Sequence, residues 1–198
     1  MKRIFLIFLA MSVFLAGFAQ DRNRRQERID RWKNDMKEFR QRSDGDRKEK
    51  ALNDTLYWYK SSNALENSLF VLEADAVTFK DGTRILVNEN VNFISVNGRR
   101  GVVQVSPSSF YPGPNGVGGI TLDGNVSGVE KSTDRRGNVH YSANVSGIGI
   151  NAMVEIILYP GSNDAYAIIT PNFSSQTVRM EGKIVPFEQS AVMKGMSL

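Results

Sequence analysis

The chain has 198 residues, 41% of them hydrophobic, and a formal net charge of +4, which is length enough for one domain with a true core even after a leader is removed. It has no cysteine, so disulfides, thiolate zinc sites, a cysteine nucleophile and a lipid-modified N-terminal cysteine are excluded. Residues 21–66 hold 13 basic and 10 acidic residues, and residues 67–198 hold 10 and 11, so no one-signed patch of the kind nucleic acid requires stands out.

Residues 1–19 read as a secretory signal. Lys2 and Arg3 form a positive start, Ile4 to Phe14 an apolar run, and Ala16-Gly17-Phe18-Ala19 a small-residue cleavage site before Gln20. The run is shorter than the roughly 20 residues a bilayer span needs, which weakens the alternative of a membrane anchor. The expectation is an exported protein, periplasmic or secreted, not lipid-anchored, with no transmembrane span after cleavage.

Residues 20–66 form a charged helical arm. Ile29, Trp32, Met36 and Phe39 recur at spacings of three and four, giving one narrow apolar stripe. Glu27 and Arg31 sit one turn apart, a favourable pairing. Ser43-Asp44-Gly45-Asp46 predicts the end of one helix and the cap of a second. Leu52, Leu56 and Tyr59, extending to Leu65, continue with another stripe. The arm either packs on the rest of the domain or stands as a solvated spacer, or it presents Trp32, Phe39, Tyr57 and Trp58 to a protein partner.

Residues 67–198 read as a β domain. Val71, Glu73, Asp75 and Val77 alternate with Leu72, Ala74, Ala76 and Thr78, followed by an Asp81-Gly82 hairpin turn and the return strand Ile85-Leu86-Val87. Asn97-Gly98 predicts a second hairpin, joining strands around Asn92 to Val96 and Gly101 to Val105. A loop with Phe110 and Tyr111 leads to the glycine-rich stretch Gly113-Pro114-Asn115-Gly116-Val117-Gly118-Gly119. That stretch opens into a strand, not a helix N-terminus, so it is a turn and not a phosphate cradle. Ile120, Leu122, Gly124, Val126 and Gly128 then share one face. Further inner faces are Val139 to Gly147, Ile150 to Leu158, Ala165 to Ile169 and Val178 to Ile184, at every second residue. No helix separates these strands, which excludes a parallel α/β sheet. The many small inner residues, among them Gly124, Ala143, Gly147 and Gly182, permit the bends of a closed barrel, either filled from the opposite wall or hollow.

Candidate chemistry is sparse. The lone His140 falls on the polar face with Ser142, Asn144 and Ser146, without a second histidine for a metal. Glu73 and Asp75, with Asp81 beyond, can be read as an acid–base or calcium pair or as an outward polar face; the alternation favours the face. No nucleophile-elbow motif accompanies the histidine. Asn-x-Ser/Thr triplets at Asn53, Asn125, Asn144 and Asn172 carry little weight in an export context of bacterial type. No catalytic residue, metal site or cofactor is predicted.

Five blocks in order carry a resemblance: Phe70-Val71-Leu72-Glu73-Ala74-Asp75, Asn92-Phe93-Ile94-Ser95-Val96, Gly113 to Thr121, Thr170-Pro171-Asn172-Phe173 and Val185-Pro186-Phe187-Glu188-Gln189-Ser190. Together they resemble an uncharacterised family of exported proteins of Gram-negative bacteria, classed as a domain of unknown function. The resemblance implies an envelope location and an all-β fold similar to lipocalin-type barrels, and it brings no catalytic or binding residue.

The expected architecture is an antiparallel up-and-down barrel or strongly curled sheet of about eight strands, preceded by the helical arm and closed by a short helix over residues 187–194. The expected role is non-enzymatic: binding a small apolar ligand or envelope component. The candidate ligand-binding residues are Ile120, Leu122, Val126, Val145, Val154 and Ile156. The alternative is a module that engages a protein partner through Trp32, Phe39 and Trp58. A cavity above about 300 Å³ lined by the six favours the first role; a filled barrel with Trp32 and Phe39 exposed favours the second.

Overall fold

In the computed structural model the described residues are 2–106, 119–172 and 177–195, with side chains described from residue 24 onward. The glycine-rich stretch through Gly118, the aromatics Phe110 and Tyr111, and Phe173 of the fourth sequence block lie outside them. The described elements are one long helix, α1 (Lys2–Glu66), then nine strands: β1 (Leu69–Thr78), β2 (Arg84–Leu86), β3 (Phe93–Asn97), β4 (Arg100–Val105), β5 (Ile120–Thr133), β6 (Val139–Gly147), β7 (Asn151–Leu158), β8 (Asp164–Pro171) and β9 (Val178–Pro186). By compactness the chain divides into residues 1–50 and residues 51–198.

The helix does not break at Ser43–Asp46. Gly45 costs about 1 kcal/mol relative to alanine in a helix interior, but a second helix would require a new nucleus and leave more carbonyls unpaired. Arg31 does reach Glu27, but at the Glu27 backbone: Nε donates to the Glu27 carbonyl at 3.4 Å.

Among the described residues every strand pairing is antiparallel. The order is β2-β1-β3-β4-β5-β6-β7-β8-β9, and β1 pairs again with β9, which closes eight strands into a barrel and leaves β2 as an extra strand. β1 can serve three partners because its two halves differ. Leu69–Glu73 pairs with β3, Ala76–Thr78 with β2, and Phe70 to Thr78, apart from one residue, with β9 on the other side.

A bulge makes this closure. Ala74 pairs with Gly182 and Ala76 with Glu181, leaving Asp75 extra; its carbonyl instead accepts the Val87 N–H at 2.9 Å. The bulge switches the inward parity, so Phe70, Leu72 and Ala74 face the core before it and Val77 after it. Plain alternation would have put Val77 with Val71. Gly182 is required here, since a Cβ would sit 2.0 Å from the Glu73 carbonyl oxygen. A second irregularity between Ser127 and Glu130 contains Gly128 at φ +61°. Gly128 therefore does not continue the inner face of β5, and the strand runs on to Thr133.

The inner faces of β6 to β9 follow the predicted alternation. Tyr141, Val145, Val154, Ile156, Met180 and Ile184 are buried in one cluster. Phe70 and Tyr141 meet edge to face, with centroids 5.0 Å apart, an arrangement worth about 1 kcal/mol beyond burial.

The last turns of α1 join this core. Ala64 and Leu65 are part of the cluster, with Trp58 packed against it, and the buried Ser61 donates its hydroxyl to the Ile184 carbonyl at 2.7 Å. The helix stops when Ser68 adopts φ 54° and its N–H takes the Leu65 carbonyl at 3.1 Å, an uncommon backbone state for a residue with a side chain. These residues occupy the barrel end formed by the β3–β4, β5–β6 and β7–β8 turns.

Residues 187–194 do not form the expected closing helix. A single 3-10 turn, Phe187–Gln189, is followed by irregular chain across the outside of β3, β4 and β5. The fully buried Gln104 holds it there: Nε2 donates to the Val91 and Met193 carbonyls at 3.1 and 2.9 Å, and Oε1 accepts from Thr121 and the Gly195 N–H at 3.0 and 2.7 Å. Lys194 pairs with Asp123. Backbone groups captured in this way are withdrawn from helix formation.

Candidate ligand-binding site

The barrel end opposite α1 holds an apolar pocket of about 330 Å³. Its walls are strand ends: Val103 and Val105 of β4, Ile120 and Leu122 of β5, Ala152 of β7, Ile169 and Pro171 of β8, and Val178 of β9. Phe79, Gly119 and Ile150 complete it from just beyond β1, before β5 and before β7. No charged or hydrogen-bonding side chain is among these residues. Ile120 is 47% exposed at the rim, while Leu122 and Ala152 are buried deeper. Small-molecule sites typically measure about 300–1,000 Å³ and are mostly apolar, so the volume suits one small molecule. Such a site can bind by burying carbon at about 0.8 kcal/mol per CH₂. Among the described residues nothing in its walls can pair with a charge.

Of the six residues proposed from sequence, Ile120 and Leu122 line this pocket. Val126, Val145, Val154 and Ile156 are buried in the core cluster nearer the middle of the barrel. The alternation therefore identifies inward-facing residues but cannot say how deep each one lies. Phe79, Val103, Val105, Ile150, Ile169 and Val178 were missed; their shared signal is an apolar residue beside a loop at one end of the strand order. Trp32 and Phe39 are exposed, 62% and 67%, whereas Trp58 packs against the core and its Nε1 lacks a hydrogen-bond partner.

The titratable groups singled out in the sequence lie elsewhere. His140 Nε2 is 3.5 Å from Asp134 Oδ2, in the β5–β6 turn. Asp134 is held down at about 2, first by the Asn138 side chain and then by the Asn138 and Arg136 N–H groups and His140. This is turn chemistry, in which an aspartate ties its own loop. Glu73 is half-buried and accepts the Ser190 hydroxyl, and Asp75 is exposed on the bulge. Asp81 caps its own turn, its carboxyl held low by the Thr83 N–H and hydroxyl. Among the described residues no three His, Asp or Glu side chains converge as metal ligands. Tyr141 is buried with its hydroxyl outside hydrogen-bonding geometry; burial raises its pKa, weakly opposed by the nearby Ser68.

Residues 55–184, about two thirds of the chain, match the family described as a domain of unknown function, DUF4251. The chain belongs to that family. The DUF4251 match starts within α1 just before Trp58 and ends in β9, so it covers the docked helix turns and nearly the whole barrel. A crystal structure of a DUF4251 family protein from Bacteroides eggerthii is similar to this chain at 44% identity, with a TM-score of 0.63, covering 71% of this chain and 94% of that one. No curated protein matches the sequence. The resemblance drawn from the five sequence blocks is thus borne out for the family and for an eight-stranded barrel. Among the described residues no helix is long and apolar enough to cross a membrane.

Proposed function

We propose that this DUF4251 protein is an exported, non-enzymatic binding protein that takes one small apolar or amphiphilic molecule of the cell envelope into the mouth of its barrel. The observation that carries this reading is the pocket at the end opposite α1, walled by apolar side chains from β4, β5, β7, β8 and β9. Export rests on the sequence pattern of residues 1–19. Among the described residues the pocket walls carry no charged or nucleophilic side chain, which supports binding rather than catalysis.

The test is mass spectrometry of protein recovered from a periplasm, first native and then after denaturation and solvent extraction. The expected result is an N-terminus at Gln20 and one small apolar species released per chain. A bare mass, with no uptake of an apolar fluorophore by the same preparation, sinks the binding reading. An intact Met1 in the cytoplasmic fraction sinks the export reading.

A second reading, engagement of a partner through the arm, is favoured by the exposure of Trp32 and Phe39. Pull-downs from envelope extracts with the full chain and with a Trp32→Ser/Phe39→Ser variant would test it. Capture of one protein by the first and not by the second is the supporting outcome.

A further inference from the structure

We propose that the face of α1 bearing Ile29, Trp32, Met36 and Phe39 lies on an anionic lipid surface. The proposal stands on the helix alone and does not depend on the pocket.

Residues 24–50 are helical, and every side chain except Ser43 is exposed. At about 100° per residue the four apolar side chains fall on one narrow stripe. Two of them, Trp32 and Phe39, are more than 60% exposed. The segment contains 11 basic and 7 acidic residues, and they are not evenly placed. Arg25, Arg28, Lys33, Arg40, Arg47 and Lys50 lie on the stripe or within a quarter-turn of it, against only Asp35 and Asp46. The opposite half carries five residues of each sign. All of the segment's surplus positive charge therefore flanks its apolar residues.

A solvated spacer has no reason to gather charge in this way. A second copy of the chain fits poorly: the stripe is two heptads long, and Arg28 and Lys33 would face each other across a parallel pair. An anionic bilayer answers both features. Its headgroups meet the flanking arginines and lysines, and its interface accepts tryptophan and phenylalanine from a helix lying in its plane. The neutral half then faces water.

The experiment uses the purified full chain, with its N-terminus established by mass. It is sedimented with vesicles of phosphatidylcholine alone and with vesicles containing phosphatidylglycerol, at low and high salt. Each basic residue near such a surface contributes about fivefold in affinity. Arg28→Glu/Lys33→Glu/Arg40→Glu is expected to weaken binding to the anionic vesicles by about a hundredfold or more. Arg31→Glu/Lys37→Glu/Lys48→Glu, on the opposite half, makes the same change in net charge and is expected to weaken it less than about tenfold. In a Trp58→Phe background, the Trp32 emission is expected to shift to the blue on anionic vesicles only. Circular dichroism checks that each variant keeps its helix. Equal losses from the two charge triples, equal binding to both vesicle types, or an unmoved Trp32 emission would each overturn the proposal.

Discussion

At the barrel end where α1 arrives, Ala64 and Leu65 fill the opening and the Ser61 hydroxyl ties the helix to β9. At the other end Val105, Ile120 and Ile150 face a pocket of about 330 Å³. Both ends are lined by apolar side chains from the barrel strands. They differ in what is brought to them. A helix satisfies its own backbone hydrogen bonds and can enter an apolar opening at little polar cost. At one end the chain's own helix supplies the packing partner of the core; at the other the inner wall is still core, and only rim residues such as Ile120, 47% exposed, stand outside it.

Substitutions at the two ends should behave differently. Phe70→Ala removes a fully buried ring from the closed end and its edge-to-face contact with Tyr141; chemical denaturation should show a loss of about 3–5 kcal/mol. Ser61→Ala, which deletes only the tie from helix to β9, should cost about 1 kcal/mol in the same assay. Tyr141→Phe removes a buried hydroxyl without hydrogen-bonding geometry, so it should be neutral or stabilising by up to about 1 kcal/mol. A clear loss would mean that the Ser68 contact is a real hydrogen bond. At the mouth, Ile120→Ser should change stability by no more than about 0.5 kcal/mol. It should nonetheless weaken uptake of an apolar fluorophore several-fold, a separation that no substitution at the closed end should give.

The smallest effect concerns pH. Asp134 anchors the β5–β6 turn at the closed end with its carboxyl lowered from 3.8 to about 2. A depressed carboxyl stabilises the fold above its unfolded value and ceases to do so as pH falls through the folded one. The stability difference between the wild type and Asp134→Asn should therefore be level above about pH 4 and shrink toward pH 2. A difference that grows on acidification would show that the turn is held some other way.

Much of the barrel was legible because a half-buried strand writes itself at every second residue. Val139, Tyr141, Ala143 and Val145 face inward as their spacing indicates. The departures come where a physical constraint is not periodic. The extra residue Asp75 is invisible until β1 is set against β9, because the misfit belongs to the pair of strands and not to either one. Ser43–Asp46 carries good capping residues, but capping preferences are small beside the cost of interrupting a long helix. A short helix is expected after Pro186, yet a single glutamine side chain on β4 competes for that segment's backbone groups. Of the six residues expected to line the site only Ile120 and Leu122 do so, for a related reason. Alternation fixes which way Leu122 and Val154 point, and only the stagger of neighbouring strands decides that the first reaches the mouth while the second lies deep.

The pairing of β1 with β9 joins the first strand of the barrel to its last, from Phe70 opposite Pro186 to Thr78 opposite Arg179. A chain that emerges N-terminus first therefore holds β1 as an open edge until nearly every other residue has appeared. Contacts between such distant segments slow folding, and an unpaired apolar edge invites pairing with other chains in the interval. Progressive truncation from the C-terminus should accordingly not give a graded series of partly stable barrels. Once β9 is lost, Leu72 and Ala74 face an unclosed sheet, and the ring survives or fails as one unit.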